Sequence, residues 1–411
     1  MRFFVESYGC TMNRGEGREL AGDLSSLGFE PAASAEEADV VVLNTCTVVE
    51  TTEKHMLSRI SELRAHGKEV VVTGCMAKAQ PGRVEIRLPD APIIPPEEYH
   101  TFKQRMQDRY GIQGCATSVD FGSEAILPIA QGCLGNCSYC ITKLARGDLH
   151  SYPAEELLRK YDSFLTGGSK EILVTAQDTA AYGRDTGTTL PELLCSMLSR
   201  DGDYRLRIGM TDPESIWRVR EDLTALMDDE RLYRFVHIPV QSGSDTVLRN
   251  MRRKYTVERF FELVDDLRAA VPGISIATDV ICGFPGETDE DHTKSMDLIR
   301  RLRADTVNIT RFSSRPGTDA AKMVQIHGRI SSARSAELTA LKNATELDVN
   351  TTLVGRTFRA LATEVGKEGT ITRTGYYRPV VVRDDIPLGT FCDVAVTEAR
   401  PTYLIGTIKN D

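Results

Sequence analysis

The 411-residue sequence contains no run of about 18 uncharged apolar residues, so no transmembrane helix is expected. Its opening stretch, MRFFVESYGC, has no long apolar segment followed by a small-residue cleavage site. A secretory leader is therefore not expected, and a cytoplasmic location is. Ten cysteines are too few for a disulfide scaffold of this length. In a reducing compartment, clustered cysteines bind metal or do redox work instead. Basic charge is not in excess: 50 Lys and Arg against 59 Asp and Glu leave a formal net charge of −9. That argues against a generally basic nucleic-acid coat while allowing a local basic groove. Neither a fixed-period repeat nor a low-complexity segment is found. What is present is an ordinary globular composition, 41% hydrophobic and 27% charged, in a chain too long for one small core. Two or three domains are expected.

Three runs in the first 95 residues, Phe3–Val5, Val40–Leu43 and Glu69–Val72, read as strands, the second a buried one by its continuous apolar character. Leu20, Leu24 and Leu27 recur at helical spacing, Gly28 can end that helix, and a second helix is expected between Glu50 and Ala65. The unit is a small α/β domain with a parallel sheet. Prolines 89, 92, 95 and 96 then punctuate the chain, and Tyr99–Glu124 reads as a helix plus linker. Six strand candidates follow, Ala125–Ile129, Glu171–Thr175, Arg205–Met210, Phe235–Pro239, Ser275–Ile281 and Thr306–Phe312, with helical patterns between them. Six β/α units predict a partial (β/α)6 barrel, two units short of a closed eight. The last 60 or so residues change to short β-like runs, Phe358–Leu361, Thr370–Thr374, Val380–Val382 and Cys392–Thr397, predicting a small all-β barrel. The expected division is 1–112, a linker over 113–124, 125–350 and 351–411.

The cysteines fall in two sets. Cys133, Cys137 and Cys140 form C-x3-C-x2-C directly after the first strand of the β/α series. Three thiolates in eight residues can wrap one face of an iron–sulfur cube and leave one iron open. Zinc or plain thiols are the alternatives, but structural zinc wants four closed ligands, and Cys115 and His150 lack zinc-finger spacing. Cys10, Cys46 and Cys75 each follow one of the three N-terminal strands. Parallel strands would bring them to one carboxyl edge, as a second three-cysteine site. The plain alternative is three buried structural thiols. Cys115, Cys195, Cys282 and Cys392 show no pattern and read as structural.

With these residues in hand, the chain resembles the radical S-adenosylmethionine methylthiotransferases over nearly its whole length: an N-terminal three-cysteine domain, a radical domain and a C-terminal TRAM barrel. Ala145-Arg146-Gly147, Thr175 to Thr179, His237 to Ser244 and Thr278 to Thr288 also fit. Arg207 to Pro213 and Tyr182 to Asp185 point to the archaeal and eukaryotic branch, which acts on N6-threonylcarbamoyladenosine in tRNA. The first motif departs from the common pattern, reading Cys10-Thr-Met-Asn13-Arg-Gly-Glu16, so Glu16 is given no role. The resemblance implies conversion of the adenosine at position 37, next to the anticodon, to its 2-methylthio derivative. The alternatives are isopentenyladenosine in tRNA or a ribosomal-protein aspartate as substrate, and, beyond enzymes, an iron–sulfur RNA-binding protein.

It also implies two [4Fe-4S] clusters, one on Cys133, Cys137 and Cys140 that binds S-adenosylmethionine, the other on Cys10, Cys46 and Cys75 that carries the inserted sulfur. The carbon attacked is neither acidic nor electrophilic, so a cofactor must supply a radical. Cofactor contacts are expected from Tyr139, Gly167, Gly168, Gln177, Asp178, Gln241 and Asp279; helix caps, solvated turns and local packing are the plain alternatives. RNA contact is expected from Arg249, Arg252 and Arg253, with Lys254, and from Arg356, Arg359, Arg373, Arg378, Arg383 and Tyr376-Tyr377. The region Leu353–Asp411 carries eight Lys and Arg against seven Asp and Glu. Solvated arginines are the plain alternative. The implied partners are the tRNA anticodon loop, an electron donor such as flavodoxin or ferredoxin, and a sulfur donor, with no membrane.

Overall fold

A computed structural model describes residues 1–111 and 122–409. Most of the expected 113–124 linker, and Cys115, lie outside the described residues. The chain divides into two compact units that do not follow the expected sequence boundaries. The first joins the described N-terminal stretch to Gln131–His150 and Arg315–Ala321; the second holds the rest, C-terminal barrel included.

The first unit is built on a parallel five-stranded sheet: β1 (Arg2–Ser7), β2 (Glu30–Pro31), β3 (Val40–Thr45), β4 (Glu69–Gly74) and β5 (Ile93–Ile94), in the order β2-β1-β3-β4-β5. Two more strands are present than the three expected; both are two residues long, too short to show a pattern. The apolar run of β3 is continuous because both of its faces are covered. Val40 and Val42 pack with Leu20, Leu24 and Phe102, while Val41 and Leu43 pack with Met56, Leu57 and Ile60. The helices Thr11–Ser26 and Phe102–Tyr110 thus cover one face and Glu50–Ala65 the other.

In the second unit, β6 (Glu124–Pro128), β7 (Glu171–Thr175), β8 (Arg205–Ile208), β9 (Phe235–His237), β10 (Ser275–Cys282) and β11 (Thr306–Arg311) run parallel. They form two three-stranded sheets, β8-β7-β6 and β9-β10-β11. Single parallel bridges, Leu206 to Leu232 and Met210 to His237, carry one sheet into the other. The 24-residue helix Gly328–Thr351, which no sequence pattern announced, leads to the last barrel. That barrel closes in the order β12 (Thr357–Gly366), β13 (Gly369–Thr374), β14 (Pro379–Val382), β16 (Leu404–Ile408), β15 (Phe391–Ala399). Its fifth strand, β16, was not expected from sequence; it pairs parallel to β14 and antiparallel to β15.

Candidate metal centres

Each of β1, β3 and β4 leads into a turn that presents a cysteine. Cys10 precedes the helix Thr11–Ser26, Cys46 follows β3, and Cys75 opens the short helix Cys75–Ala79. Since these strands are parallel neighbours, the thiols reach one carboxyl edge. Asn13 stands among them. Its Nδ2 donates to Tyr8 O and Thr45 O, both at 2.8 Å, and its Oδ1 lies 3.9 Å from Cys10 Sγ and 3.8 Å from Cys75 Sγ. Asn44 Nδ2 donates back to Asn13 O at 2.6 Å. The backbone must also come close. Gly9 has φ +96°, and a Cβ there would stand 2.7 Å from both Cβ and Sγ of Cys46. Gly74 has φ +84°, with the same test placing a Cβ 2.3 Å from Thr45 O. Only glycine meets both demands.

Cys46 and Cys75 are buried and Cys10 is exposed. Burial pushes both buried thiols up, Cys75 to about 11, with Arg146 pulling the other way. The Arg146 guanidinium is buried against this group: Nε donates to Cys75 Sγ at 3.3 Å, and Nη2 to Asn13 Oδ1 at 2.7 Å and Glu16 Oε2 at 2.8 Å. Nη1 completes a bidentate pair with Glu16. Glu16, which the sequence left without a role, is therefore the buried counter-ion of Arg146. Buried thiols held neutral by desolvation ionise when a metal replaces their protons, and these thiols suit such a ligand.

The second trio lies on the loop between Gln131 and the helix Ile141–Arg146, in the same compact unit. Gly135 N donates to Cys133 Sγ at 3.2 Å. A Cβ on Gly135 would lie 3.3 Å from Cys133 Sγ and 3.8 Å from Cys137 Sγ, so the loop wraps bare backbone between two sulfurs. Cys140 N donates to Cys137 O at 3.2 Å, Cys133 N to Gly147 O at 3.3 Å, and Lys143 Nζ to Cys133 O at 2.6 Å. Burial, then the neighbouring Cys137, pushes the Cys140 thiol up. Tyr139 is half-buried on this loop. A backbone N–H aimed at a ligand sulfur and three thiols within eight residues fit an iron–sulfur cluster. Among the described residues no three His, Cys, Asp or Glu side chains stand close enough to share one ion. A cluster does not ask this of its ligands, since each thiolate holds a different iron.

The other expected cofactor residues belong to the second unit and separate into two groups. Gln177, Gln241 and Asp279 lie at or beyond the middle of their strands, toward the carboxyl edge. Gln241 has φ +71°, and its buried Oε1 has no partner among the described residues. Asp279 Oδ1 accepts from Asn308 Nδ2 at 2.8 Å and lies 2.9 Å from His237 Nε2. Asp178 is a correction. Its Oδ1 accepts from Asp212 N at 3.0 Å and its Oδ2 from Ser215 Oγ at 2.6 Å, so both oxygens serve the fold, tying the end of β7 to the helix Pro213–Leu226. Gly167 and Gly168 are a second correction. They close the helix Ala154–Thr166, donating to Ser163 O at 2.9 Å and Leu165 O at 3.0 Å, just before β7 begins. That is the amino edge of the sheet, opposite to the edge where ligands bind.

The basic residues divide by exposure. Arg249, Arg252, Lys254, Arg356 and Arg383 are exposed, and Arg359 is paired with Asp203 at 3.1 Å. Arg253 turns inward, with Nη2 2.8 Å from an Asp212 oxygen and Nε donating to Tyr255 at 2.9 Å. Arg373 lies over the Tyr377 ring at 4.4 Å, and Tyr377 packs on Tyr233 and Phe235 at 4.9 and 4.8 Å. Arg378 is ion-paired with Asp305. Expected RNA contacts by Arg253, Arg373, Arg378 and Tyr377 are therefore corrected: these side chains fasten packed elements to one another. Tyr376 likewise meets Phe358, at 6.4 Å between ring centroids. Composition counts arginines but does not show which of them face solvent.

Residues 2–94 match the family described as Uncharacterized protein family UPF0004, residues 127–299 the Radical SAM superfamily and residues 351–409 the TRAM domain. The fold is also that of the radical S-adenosylmethionine methyltransferase TsrM from Kitasatospora setae, at TM-score 0.57 and 16% identity over 78% of this chain and 76% of that one. The chain is a radical S-adenosylmethionine enzyme, a class that works with S-adenosylmethionine and a [4Fe-4S] cluster. It is 37% identical to the probable threonylcarbamoyladenosine tRNA methylthiotransferase of Archaeoglobus fulgidus, over 99% of both chains. It is 35% identical to the threonylcarbamoyladenosine tRNA methylthiotransferase of Xenopus laevis, over 100% of this chain and 77% of that one. The chain belongs to the threonylcarbamoyladenosine tRNA methylthiotransferase family.

Proposed function

We propose that this chain converts N6-threonylcarbamoyladenosine at position 37 of tRNA, next to the anticodon, to its 2-methylthio derivative. The observation that carries the reading is the gathering of two cysteine trios in one compact unit of a chain that is similar to these enzymes along its whole length. In this reading Cys133, Cys137 and Cys140 hold one [4Fe-4S] cluster and Cys10, Cys46 and Cys75 a second. When bound, the clusters and S-adenosylmethionine supply the radical and the sulfur that no side chain can provide.

The chain's own residues do the rest. Asn13 holds the turns bearing Cys10, Cys46 and Cys75 together, and Lys143 pins the Cys133 turn. Tyr139 packs on the cofactor's adenine, and Gln177, Gln241 and Asp279 are the candidates for hydrogen bonds to cofactor or base. Exposed Arg249, Arg252, Arg356 and Arg383 neutralise tRNA phosphates. No helix among the described residues is long and apolar enough to cross a membrane. A cytoplasmic location, a flavodoxin- or ferredoxin-type electron donor and a separate sulfur donor belong to the same proposal. Mass spectrometry of tRNA nucleosides from cells with and without the gene tests it. Loss of 2-methylthio-threonylcarbamoyladenosine is the expected result. Unchanged tRNA, or loss of the methylthio group from isopentenyladenosine or from a ribosomal protein instead, overturns it.

A further inference from the structure

Arg146 comes from the segment that carries Cys133, Cys137 and Cys140, six residues past the last of them, yet its charged end is given to the other trio. Burying a guanidinium and a carboxylate together gains little stability over an apolar pair, because both lose their hydration. A salt bridge made only for stability would also have no reason to aim a donor at a sulfur. The geometry does aim one. Glu16 grips both terminal nitrogens of Arg146 and Asn13 accepts from one of them, which fixes the plane of the guanidinium. A guanidinium is rigid and planar, so once its fork is fixed the direction of Nε–H is fixed as well. That direction ends on Cys75 Sγ, 3.3 Å away.

We propose that Arg146 is a positioning residue that sets the electron affinity of the Cys10, Cys46 and Cys75 centre through its N–H···S bond to Cys75, with Glu16 as the counter-charge that holds it in place. The inference rests on the reading that these three thiols hold a cluster. A donor and a positive charge beside a ligand sulfur stabilise the more negative, reduced form and raise the potential. Glu16 opposes this with its own charge. The two members of one ion pair therefore act in opposite directions on the potential, although loss of either would weaken the fold in the same direction.

The test uses the full-length chain with Cys133→Ala, Cys137→Ala and Cys140→Ala, reconstituted with iron and sulfide, and an EPR-monitored redox titration. In that background Arg146→Lys and Arg146→Met are expected to disfavour reduction by about tenfold, which is about 59 mV for a one-electron couple. Lysine keeps the charge but cannot hold the fork and the N–H···S bond together. Glu16→Gln is expected to shift the midpoint the other way, to higher potential. Shifts of opposite sign support the proposal. A midpoint that stays fixed, or moves in the same direction for both partners, with iron retained, overturns it while leaving the cluster itself in place. Absence of iron from the parent chain removes the cluster reading and this proposal together. Should Arg146→Met fail to fold, Arg146→Lys and Glu16→Gln still decide, because an unmoved or lowered midpoint in Glu16→Gln is overturning by itself.

Discussion

Arg378 of the C-terminal barrel is ion-paired with Asp305, which immediately precedes β11, and donates to Asn350 Oδ1 at 2.7 Å. Both charged side chains are largely buried, at 14% and 11% exposure. An ion pair so placed is costly to break from one side, since the remaining charge stays buried. Arg378→Ala is expected to cost about 3 kcal/mol of stability. Urea unfolding of the variant against the parent measures it; a loss below about 0.5 kcal/mol, the size of an ordinary surface change, would contradict the placement.

The exposed arginines make the contrasting case. Arg249 and Arg383 have no such buried partner among the described residues and face solvent. Arg249→Ala and Arg383→Ala are each expected to leave the unfolding midpoint in place and to reduce the salt dependence of tRNA affinity by about one unit of log–log slope. Filter binding of tRNA across a salt series reads this directly. A slope unchanged in both variants would remove these residues from the RNA-contacting surface.

Glu53 is a buried carboxylate with two guanidinium partners, Arg83 and Arg315. It also accepts from Thr47 Oγ1 at 3.0 Å and Gln80 Nε2 at 2.9 Å. Removing its charge leaves Arg315, 4% exposed, buried without its counter-ion, while Arg83, 43% exposed, stays solvated; removing Arg315 leaves Glu53 with Arg83, Thr47 and Gln80. Glu53→Gln is therefore expected to cost about 3–5 kcal/mol and Arg315→Met clearly less, in the manner of other buried charge networks. Thermal or urea unfolding of the two variants side by side gives the order, and the reverse order would show that Arg315 is the residue the network depends on.

The same pair explains what the sequence could and could not convey. β1, β3 and β4 were legible because apolar runs of three or four residues were each followed by Gly or Thr directly before a cysteine, and that pattern put the three thiols at one edge. The attachment of Arg315–Ala321 to the N-terminal unit had no local signal: Glu53 and Arg315 are 262 residues apart. Gly167-Gly168 was misread because a helix end and a ligand-binding turn both call for glycine, and only their place before β7 separates the two. Asp178 was misread for a related reason. A carboxylate just past a strand end is as well suited to receive a backbone N–H as to hold a ligand, and which it does depends on the segment beginning at Asp212. Glu16 was passed over because its motif departs from the common pattern, and its partner Arg146, 130 residues away, leaves no local signal to set against that.

Asp178 also gives the fold a pH dependence. Burial, and next the charge of Asp212, raise its carboxyl to about 7 from an ordinary value of 3.8. The folded chain therefore keeps a proton there at pH values where the unfolded chain has lost it. Stability contributed by this site falls as pH rises from about 4 to about 7 and is level above that. At about 1.4 kcal/mol per unit, the penalty at pH 8 is on the order of 1–4 kcal/mol. Asp178→Asn removes the ionisation while keeping an oxygen for Asp212 N and an amide for Ser215. Its stability relative to the parent is expected to improve between pH 5 and pH 8, read as the difference in urea midpoints at the two pH values. A difference that does not change with pH would mean that Asp178 ionises as easily in the folded chain as in the unfolded one.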